Sequence, residues 1–134
     1  MEQKTKQFRK RSAILTCLQG THAHPSAEML HAMLQPEHPD ISLATVYRNL
    51  ALFKQQGLIQ SLGTVQGIER FDGNPLPHVH FICDQCAAVT DLPQIQVPQQ
   101  LRSTVEEISG GQVAECQLSF TGVCKNCCQD EKTA

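Results

Sequence analysis

The sequence of 134 residues contains no tryptophan, a single tyrosine and five phenylalanines. Its hydrophobic cores must therefore be built mainly from aliphatic side chains. No run approaches the roughly 20 apolar residues that a membrane-spanning helix needs. The first residues, MEQKTKQFRKR, contain no apolar stretch typical of a secretion signal. We therefore expect a cytoplasmic protein without membrane association.

Common catalytic motifs are missing as well. We find no glycine-rich phosphate-binding loop, no HExxH helix and no nucleophile elbow, and the chain has no internal repeat. These absences argue against the enzyme classes that depend on such motifs. The function must therefore come from other features of the chain.

Seven cysteines are present, and four of them form two CxxC pairs, Cys83–Cys86 and Cys124–Cys127. Each CxxC turn presents two sulfurs to one ion, so the two pairs provide the four thiolates of a tetrahedral zinc site. Without a secretion signal we expect a reducing compartment, and hence metal binding rather than disulfides. Zinc would stabilise a lobe of about 60 residues, whose hydrophobic core is thin.

The other three cysteines have no comparable spacing. We predict Cys17 in a helix core, Cys116 as a buried thiol on the apolar face of a strand, and Cys128 as a spare thiol beside the zinc. A redox role for Cys128 is the less favoured interpretation.

Charge is distributed unevenly, although the net charge is only −2. Residues 1–75 have eight Lys and Arg against six Asp and Glu, whereas residues 76–134 have three against seven. Five of the basic residues lie within the first eleven positions, and Arg11 is the last of them. A basic arm of this kind is a candidate contact for nucleic-acid phosphates.

The first half is predicted to form three helices and a hairpin. Apolar residues recur at helical spacing between helix start and stop signals at residues 6–19, 24–35 and 43–56. His24-Pro25 is expected to begin the second helix and Ser42 to cap the third. Apolar segments on either side of a glycine-containing turn at 63–67 then predict a β-hairpin. This order is that of a winged helix-turn-helix domain.

The third predicted helix has an apolar and a polar face. The side chains expected to pack inward are Leu43, Val46, Leu50 and Phe53. Those on the opposite face or at its edge are Thr45, Tyr47, Arg48 and Asn49. Arginine can donate two hydrogen bonds to guanine, and tyrosine can contact a thymine methyl or a phosphate. We interpret this polar face as a DNA-binding surface rather than an ordinary solvated one.

The second half is predicted to be a small α+β lobe. Residues 78–92 are strand-like around the first CxxC pair, residues 98–109 form a helix, and residues 113–123 form a strand. The helix has an apolar face of Leu101, Val105 and Ile108. Because the second CxxC pair follows the last strand, zinc would tie that strand to the first.

The sequence GNPLP separates the two halves, and its glycine and prolines are typical of a linker. We therefore predict a DNA-binding domain at residues 1–73, a hinge at 74–77 and a zinc-containing domain at 78–134. Both domains together make the fold class α+β.

A second metal site is indicated by His78 and His80. Alternate residues of a strand point to the same face about 6.6 Å apart, so the two imidazoles would lie side by side. Asp91 follows the first CxxC pair, where a returning strand would bring its carboxylate towards them. Imidazole and carboxylate ligands without thiolate favour Fe(II), Mn(II) or Zn(II) over Cu(I).

Such ligands would also suit a zinc hydrolase or a metal-trafficking protein. A hydrolase needs a positioned general base and a substrate cleft, and no spare glutamate lies near the histidine pair. Neither alternative explains the polar face of the third helix. We favour a DNA-binding protein that responds to a metal.

The sequence resembles the ferric uptake regulator family in motifs that span nearly the whole chain. They occur in the family's order: HPSAE at 24–28, SLATVYRNLALFKQQGLI at 42–59, RFD at 70–72, HVHFICDQC at 78–86 and VCKNC at 123–127. The resemblance implies a cytoplasmic homodimeric repressor whose winged helix binds a palindromic operator in double-stranded DNA. It also implies dimerisation through the second domain and structural zinc at the four CxxC cysteines.

The resemblance further implies a regulatory Fe(II) or Mn(II) at the lobe junction, with ligands at His24, Asp72, His78, His80 and Asp91. This set is similar to that of the family's peroxide-responsive members. Iron-sensing members often have glutamate in place of the two aspartates, and zinc-uptake members often place a cysteine in this site. We expect a peroxide sensor in which iron-catalysed oxidation of His24 or His78 ends repression, with iron, zinc or manganese sensing as the alternative.

Overall fold

In the computed structural model, residues 2–76, 78–114 and 116–128 are described, except for the side chains of residues 2–4. The chain divides into two compact units, Met1–Pro75 and Leu76–Ala134. Among the described residues, no helix is both long and apolar enough to cross a membrane.

The first unit has three helices and a hairpin, which confirms the predicted winged helix-turn-helix. Its elements are α1 (Glu2–Gln19), α2 (Ala27–Leu34), α3 (Leu43–Gln55), β1 (Gln60–Val65) and β2 (Ile68–Asp72). The first helix begins before the predicted residue 6. Buried side chains from the helices and the hairpin form one largely aliphatic core: Ile14, Leu18, Ala27, Leu30, Leu34, Ile41, Val46, Leu50, Phe53, Ile59 and Phe71.

The start of α2 differs from the prediction. Ser26, and not His24-Pro25, begins this helix, since its side chain accepts a hydrogen bond from the Met29 amide at 3.2 Å. The serine oxygen satisfies a helix amide that would otherwise lack a partner, and this outweighs the preference of proline for a first helical position. His24 lies before the helix with φ +50°, which is uncommon for a residue other than glycine.

The third helix begins as predicted. The Ser42 hydroxyl accepts a hydrogen bond from the Thr45 amide at 3.1 Å. Val46, Leu50 and Phe53 are buried, and the predicted fourth core residue, Leu43, is partly buried against them. The opposite face of α3 therefore points away from the core.

The hairpin ends in a tight turn. β1 and β2 pair antiparallel, with Val65 opposite Ile68. The two residues between them, Gln66 and Gly67, have φ angles of +53° and +81°. Both angles are positive, as a type I′ turn requires, and this turn matches the twist of the strands.

The second unit contains a three-stranded sheet and a helix. Its elements are β3 (Val79–Cys83), β4 (Val89–Leu92), α4 (Gln99–Ser109) and β5 (Ser119–Gly122). β3 lies in the middle, antiparallel to β4 and parallel to β5. The parallel register places Gly122 beside Cys83, so the second CxxC pair leaves the sheet next to the first.

The last strand is shorter than predicted. Of the predicted strand 113–123, only residues 119–122 pair in the sheet among those described. Cys116, predicted to be buried, is only partly buried, and Phe120 is 46% exposed. The alternating pattern therefore did not correctly predict burial in this segment, since none of its described residues is buried.

The helix of the second unit has the predicted apolar face, but its own unit leaves that face open. Leu101 and Val105 are 43% and 45% exposed, and Ile108 is 82% exposed. None of the described α4 residues is buried. The predicted apolar face is therefore present, and the described part of its own chain leaves it exposed. An open apolar face of this kind is typical of an interaction surface.

Candidate metal centres and nucleic-acid interface

The four CxxC cysteines lie together where β3 and β5 end. Their sulfurs are all within 4.8 Å of one another. The Sγ–Sγ distance is 3.8 Å between Cys83 and Cys127 and 3.7 Å between Cys86 and Cys124. Four zinc–sulfur bonds of about 2.3 Å in a tetrahedron require sulfur–sulfur distances of about 3.8 Å. The four free thiols therefore suit a structural zinc ion.

Backbone amides stabilise a thiolate within this cluster. Cys83 Sγ accepts hydrogen bonds from the amides of Cys86 and Cys124, each at 3.4 Å. These amides lower the pKa of the Cys83 thiol to about 6, because they stabilise its thiolate. A hydrogen bond with the neighbouring Cys124 thiol holds the pKa of Cys127 well above its usual range. Several thiolates fit into this space only when a cation neutralises them.

The other three cysteines are outside the four-sulfur cluster. Burial, and then the charge of Glu37, raises the pKa of the partly buried Cys17 thiol, which makes it a weak nucleophile. The Cys128 thiol donates to the Val123 carbonyl at 3.5 Å. Cys116 is partly buried. None of the three takes part in the four-sulfur geometry.

In the second unit, His78, His80 and Asp91 converge across β3 and β4. His80 and Asp91 are register partners, and Nε2 of each histidine lies 3.1 Å from Asp91 Oδ1. The two imidazole centroids are 4.2 Å apart. Three nitrogen and oxygen ligand atoms are thus gathered around one point.

The orientation of the His78 ring favours a cation at this point. Its Nδ1 lies 2.7 Å from the Leu76 carbonyl, and a hydrogen bond there requires the proton on Nδ1. In the neutral ring, Nε2 then presents a lone pair towards Asp91 Oδ1. Two acceptors at this distance need a proton or a metal between them, and a histidine held through its other nitrogen is the usual arrangement at metal sites.

In the first unit, His24 and Asp72 form a buried pair of ligand residues. His24 Nε2 lies 3.3 Å from Asp72 Oδ2, and both residues are buried. Asp72 Oδ1 accepts a hydrogen bond from the Asn74 amide at 2.9 Å. The Phe71 amide donates to the Pro25 carbonyl at 3.0 Å, which fastens the end of β2 to the segment that contains His24.

Arg70 belongs to the surroundings of this pair, although it was not among the residues predicted from the sequence. It is buried in β2, and its guanidinium donates to the carbonyls of Ala23 and His24, to the former at 2.8 Å. The available signal was the RFD motif, in which Arg70 and Asp72 alternate and so share one side of the strand. An arginine at a buried strand position requires partners.

The predicted DNA-binding face of α3 is linked to α1. Arg48 is exposed, while Thr45 and Asn49 are partly buried. The Asn49 side chain donates to the Thr45 carbonyl at 2.9 Å, and its oxygen accepts from Arg11 Nε at 3.3 Å. These contacts hold the guanidinium of Arg11 beside the polar face of α3.

Tyr47 is oriented by α2. Its side chain is 48% exposed, and its hydroxyl donates to a carboxylate oxygen of Glu28. This hydrogen bond raises the pKa of Tyr47 and lowers that of Glu28. The phenol ring therefore has a defined direction on the surface.

The hairpin contributes little positive charge to this surface. Among residues 60–72, the charged ones are Glu69, Arg70 and Asp72. Arg70 is buried, and Glu69 accepts a hydrogen bond from Lys54 at 3.2 Å. The exposed cations of this unit therefore lie mainly on α1 and α3.

The sequence and fold match known transcription regulators. The model of the ferric uptake regulator family matches residues 2–121. The peroxide-responsive repressor PerR of Staphylococcus aureus is 36% identical over 120 residues, which cover 88% of this chain and 79% of that protein. The Campylobacter jejuni peroxide stress regulator has a TM-score of 0.80, with 27% identity and 94% of each chain covered. The Pseudomonas aeruginosa ferric uptake regulator, solved with manganese, has a TM-score of 0.65, with 26% identity and 87% of each chain covered.

A winged helix-turn-helix, a four-cysteine cluster that suits zinc, and histidine–aspartate groups that suit iron or manganese define a metal-responsive repressor. The chain belongs to the ferric uptake regulator family. Membership implies DNA binding and a regulatory role.

Proposed function

We propose that this protein is a cytoplasmic peroxide-responsive repressor and not an enzyme. In this proposal it binds a palindromic operator as a homodimer and releases it when a ligand histidine is oxidised. The carrying observation is that the donor groups contain only imidazole and carboxylate, with Asp72 beside His24 and Asp91 beside His78 and His80. The similarity to a peroxide-responsive repressor supports the same function.

We propose that both donor groups bind the same regulatory Fe(II) or Mn(II), as the family resemblance implies. Each group already has its nitrogen and oxygen atoms close together, which lowers the cost of ordering them around an ion. Binding would restrict the predicted hinge at residues 74–77 and so fix the spacing of the two recognition helices in a dimer. Operator half-sites require a fixed spacing, so the loaded form binds DNA more tightly.

The energy required is modest. Shifting a two-state population from 1:99 to 99:1 takes about 5.5 kcal/mol of differential binding. Five ligand atoms on a divalent ion can supply this amount if the restricted state alone engages all of them. The metal is then a corepressor.

The homodimer is proposed to form through the second unit. Its helix exposes Leu101, Val105 and Ile108, and Phe120 of β5 is also exposed. β5 is an edge strand of the three-stranded sheet. A second copy would cover these apolar side chains, and its two-fold symmetry would match a palindromic operator.

The proposed DNA contacts are made by α3 and the end of α1. In the helix-turn-helix arrangement the third helix enters the major groove. Arg48 and Tyr47 would contact bases or phosphates, while Thr45 and Asn49 support the same face. Arg11, which is bonded to Asn49, would contact a phosphate.

The proposed signal is a covalent change of His24 or His78. Bound Fe(II) supplies the reductive activation of hydrogen peroxide. In the net reaction, the imidazole C2–H becomes C2=O, its hydrogen moves to a ring nitrogen, and the second peroxide oxygen leaves as water. The ring gives up two electrons, which peroxide takes up. Because both ring nitrogens then bear hydrogen, the histidine has lost its metal-binding lone pair.

The deciding experiment compares the Fe(II) and Mn(II) forms without air. Binding to a palindromic duplex selected from a random pool is measured before and after dilute peroxide. The protein is then digested, and the masses of its peptides are measured by mass spectrometry. We expect only the iron form to lose binding and to gain one oxygen on the peptide of His24 or His78. A catalase-treated sample serves as the control.

Two other outcomes would contradict parts of the proposal. If both metal forms keep their binding after peroxide, the protein reads iron or manganese occupancy and not peroxide. If no metal produces binding to any duplex in the pool, the repressor itself is wrong.

A further inference from the structure

Arg70 is a buried cation that is not itself a metal ligand. It is 7% exposed, and burial lowers its pKa. Its guanidinium donates hydrogen bonds to the backbone carbonyls of Ala23 and His24. Burying a cation is unfavourable unless its donors are bonded, and an aliphatic side chain would fill the same space at lower cost. The placement therefore indicates a role for the hydrogen bonds themselves.

These hydrogen bonds hold a backbone conformation that residues other than glycine rarely adopt. His24 has φ +50°, and such a conformation persists only where its surroundings determine it. The carbonyls of Ala23 and His24, which precede and follow the His24 Cα, both accept hydrogen bonds from the Arg70 guanidinium. The next carbonyl, of Pro25, accepts from the Phe71 amide at 3.0 Å. Successive carbonyls of this segment are thus fixed by β2.

The other member of the pair is fixed from α1. A Cβ on Gly73 would lie 2.7 Å from Gln19 Cα and 2.8 Å from the Leu18 carbonyl oxygen, which leaves room only for glycine. Gly73, the residue after Asp72, is therefore in close backbone contact with the last turn of α1. Both His24 and Asp72 are held by the main chain around them rather than by each other alone.

We propose that Arg70 is a positioning residue that aims the His24 imidazole at Asp72 and so prepares this pair to bind the regulatory metal. The arrangement of the pair is a property of the first unit. The assignment rests on the proposed function only for the use of this pair as metal ligands. Partners that orient a ligand histidine typically change metal affinity by 10–100-fold when they are removed.

Two measurements on the full chain test this role. Mn(II) affinity is measured by competition with a fluorescent chelator. Long-range proton–nitrogen NMR spectra of zinc-loaded, manganese-free protein report the tautomer of His24, assigned with His24→Gln. For Arg70→Met we expect Mn(II) affinity to fall by roughly 10–100-fold, and a single His24 tautomer to become a mixture. Operator binding should return at saturating Mn(II).

The matched control is Lys54→Met, which removes an exposed cation that pairs with Glu69 on the same strand as Arg70. It should leave both Mn(II) affinity and the His24 spectrum unchanged. Arg70→Lys keeps a buried cation with shorter reach, so we expect a smaller loss of affinity than in Arg70→Met.

Wild-type affinity together with an unchanged His24 spectrum in folded Arg70→Met would overturn the role. If Arg70→Met does not fold, Mn(II) affinity and the His24 spectrum are measured on Arg70→Lys instead. Wild-type values of both in folded Arg70→Lys would then overturn the role. Failure of the proposed function looks different: Mn(II) then leaves operator binding of the wild-type protein unchanged, while the His24 spectrum still separates Arg70→Met from wild type and supports the positioning role.

Discussion

The two units of this protein are stabilised by different means. The first unit has a core of eleven buried residues from three helices and a hairpin. Among its described residues, the buried apolar side chains of the second unit are those of Val79, Cys83 and Val89, and none belongs to its helix. A unit with so few buried apolar side chains needs other stabilisation. Zinc bound at the four-cysteine cluster would supply one source, and the proposed dimer would supply a second by covering the exposed face of α4.

This difference suits the separate tasks of the two units. A self-sufficient first unit can present α3 in one conformation whether or not metal is bound. The second unit combines four soft thiolate ligands, which favour zinc, with imidazoles and a carboxylate that suit exchangeable iron or manganese. Ligand chemistry thus distinguishes the four-cysteine cluster from the histidine–aspartate group of the same unit.

The largest expected effect is that of removing zinc. In Cys124→Ser we expect loss of stoichiometric zinc and unfolding of the second unit, while the first unit stays folded on its own core. Zinc content by mass spectrometry and amide spectra by NMR measure the two effects. Cys116→Ser, outside the four-sulfur cluster, is the control and should keep its zinc. A folded second unit in zinc-free Cys124→Ser would show that this unit does not depend on zinc for its stability.

Next in size is the effect of charging the open face of α4. Val105→Lys places a cation in the proposed dimer interface and should produce monomers with much weaker operator binding. Light scattering after gel filtration measures the mass. Glu107→Lys makes a charge change at an exposed position of the same helix and should remain dimeric. Dimers of Val105→Lys at micromolar concentration would assign dimerisation to another surface.

The main features of both units could be predicted from the sequence. Helical spacing, the Ser42 cap and the glycine-containing turn are local signals, and they predicted the winged helix correctly. The CxxC spacing likewise predicted a four-sulfur cluster, because two tight turns need only one sheet contact to bring them together. Local chemistry decides these features, so a single sequence contains them.

The rest depends on contacts between distant residues. Arg70 and His24 are 46 positions apart, so the RFD motif indicates that the arginine needs a partner but does not identify that partner. The apolar face of α4 was visible in the sequence, but its periodicity does not reveal whether the same chain or another covers it. The same limit led to the error at Cys116, where alternation predicted a buried thiol and the residue is only partly buried.

A moderate effect is expected for a cavity in the first unit. Leu50 is 1% exposed, so Leu50→Ala should lower the free energy of unfolding of this unit by about 2–5 kcal/mol. Zinc content should not change, because the cluster lies in the other unit. The loss in free energy of unfolding is measured by thermal denaturation followed by the circular dichroism of the helices. Leu58→Ala, at a 40% exposed position, should change stability by only about 0.5 kcal/mol or less.

The smallest effect concerns the surface that α3 presents. Tyr47 is the only tyrosine and the chain has no tryptophan, so phenolate absorbance near 295 nm reports this residue alone. The hydrogen bond to Glu28 raises the pKa of Tyr47, so its titration midpoint should lie above the ordinary value of about 10. Glu28→Gln should bring the midpoint down, since the neighbouring anion is gone, and Glu37→Gln should not.

The direction of both shifts fixes how this contact depends on pH. A raised tyrosine pKa contributes stability that is present below the unfolded value and is lost as pH rises through the folded one. The pKa of Glu28 is lowered, so its contribution is present above the unfolded value and is lost as pH falls. Both groups therefore keep the protonation states that the contact requires throughout the neutral range. A wild-type midpoint at or below the ordinary value would mean that α3 does not present a fixed tyrosine, and would weaken the view that the first unit is rigid on its own.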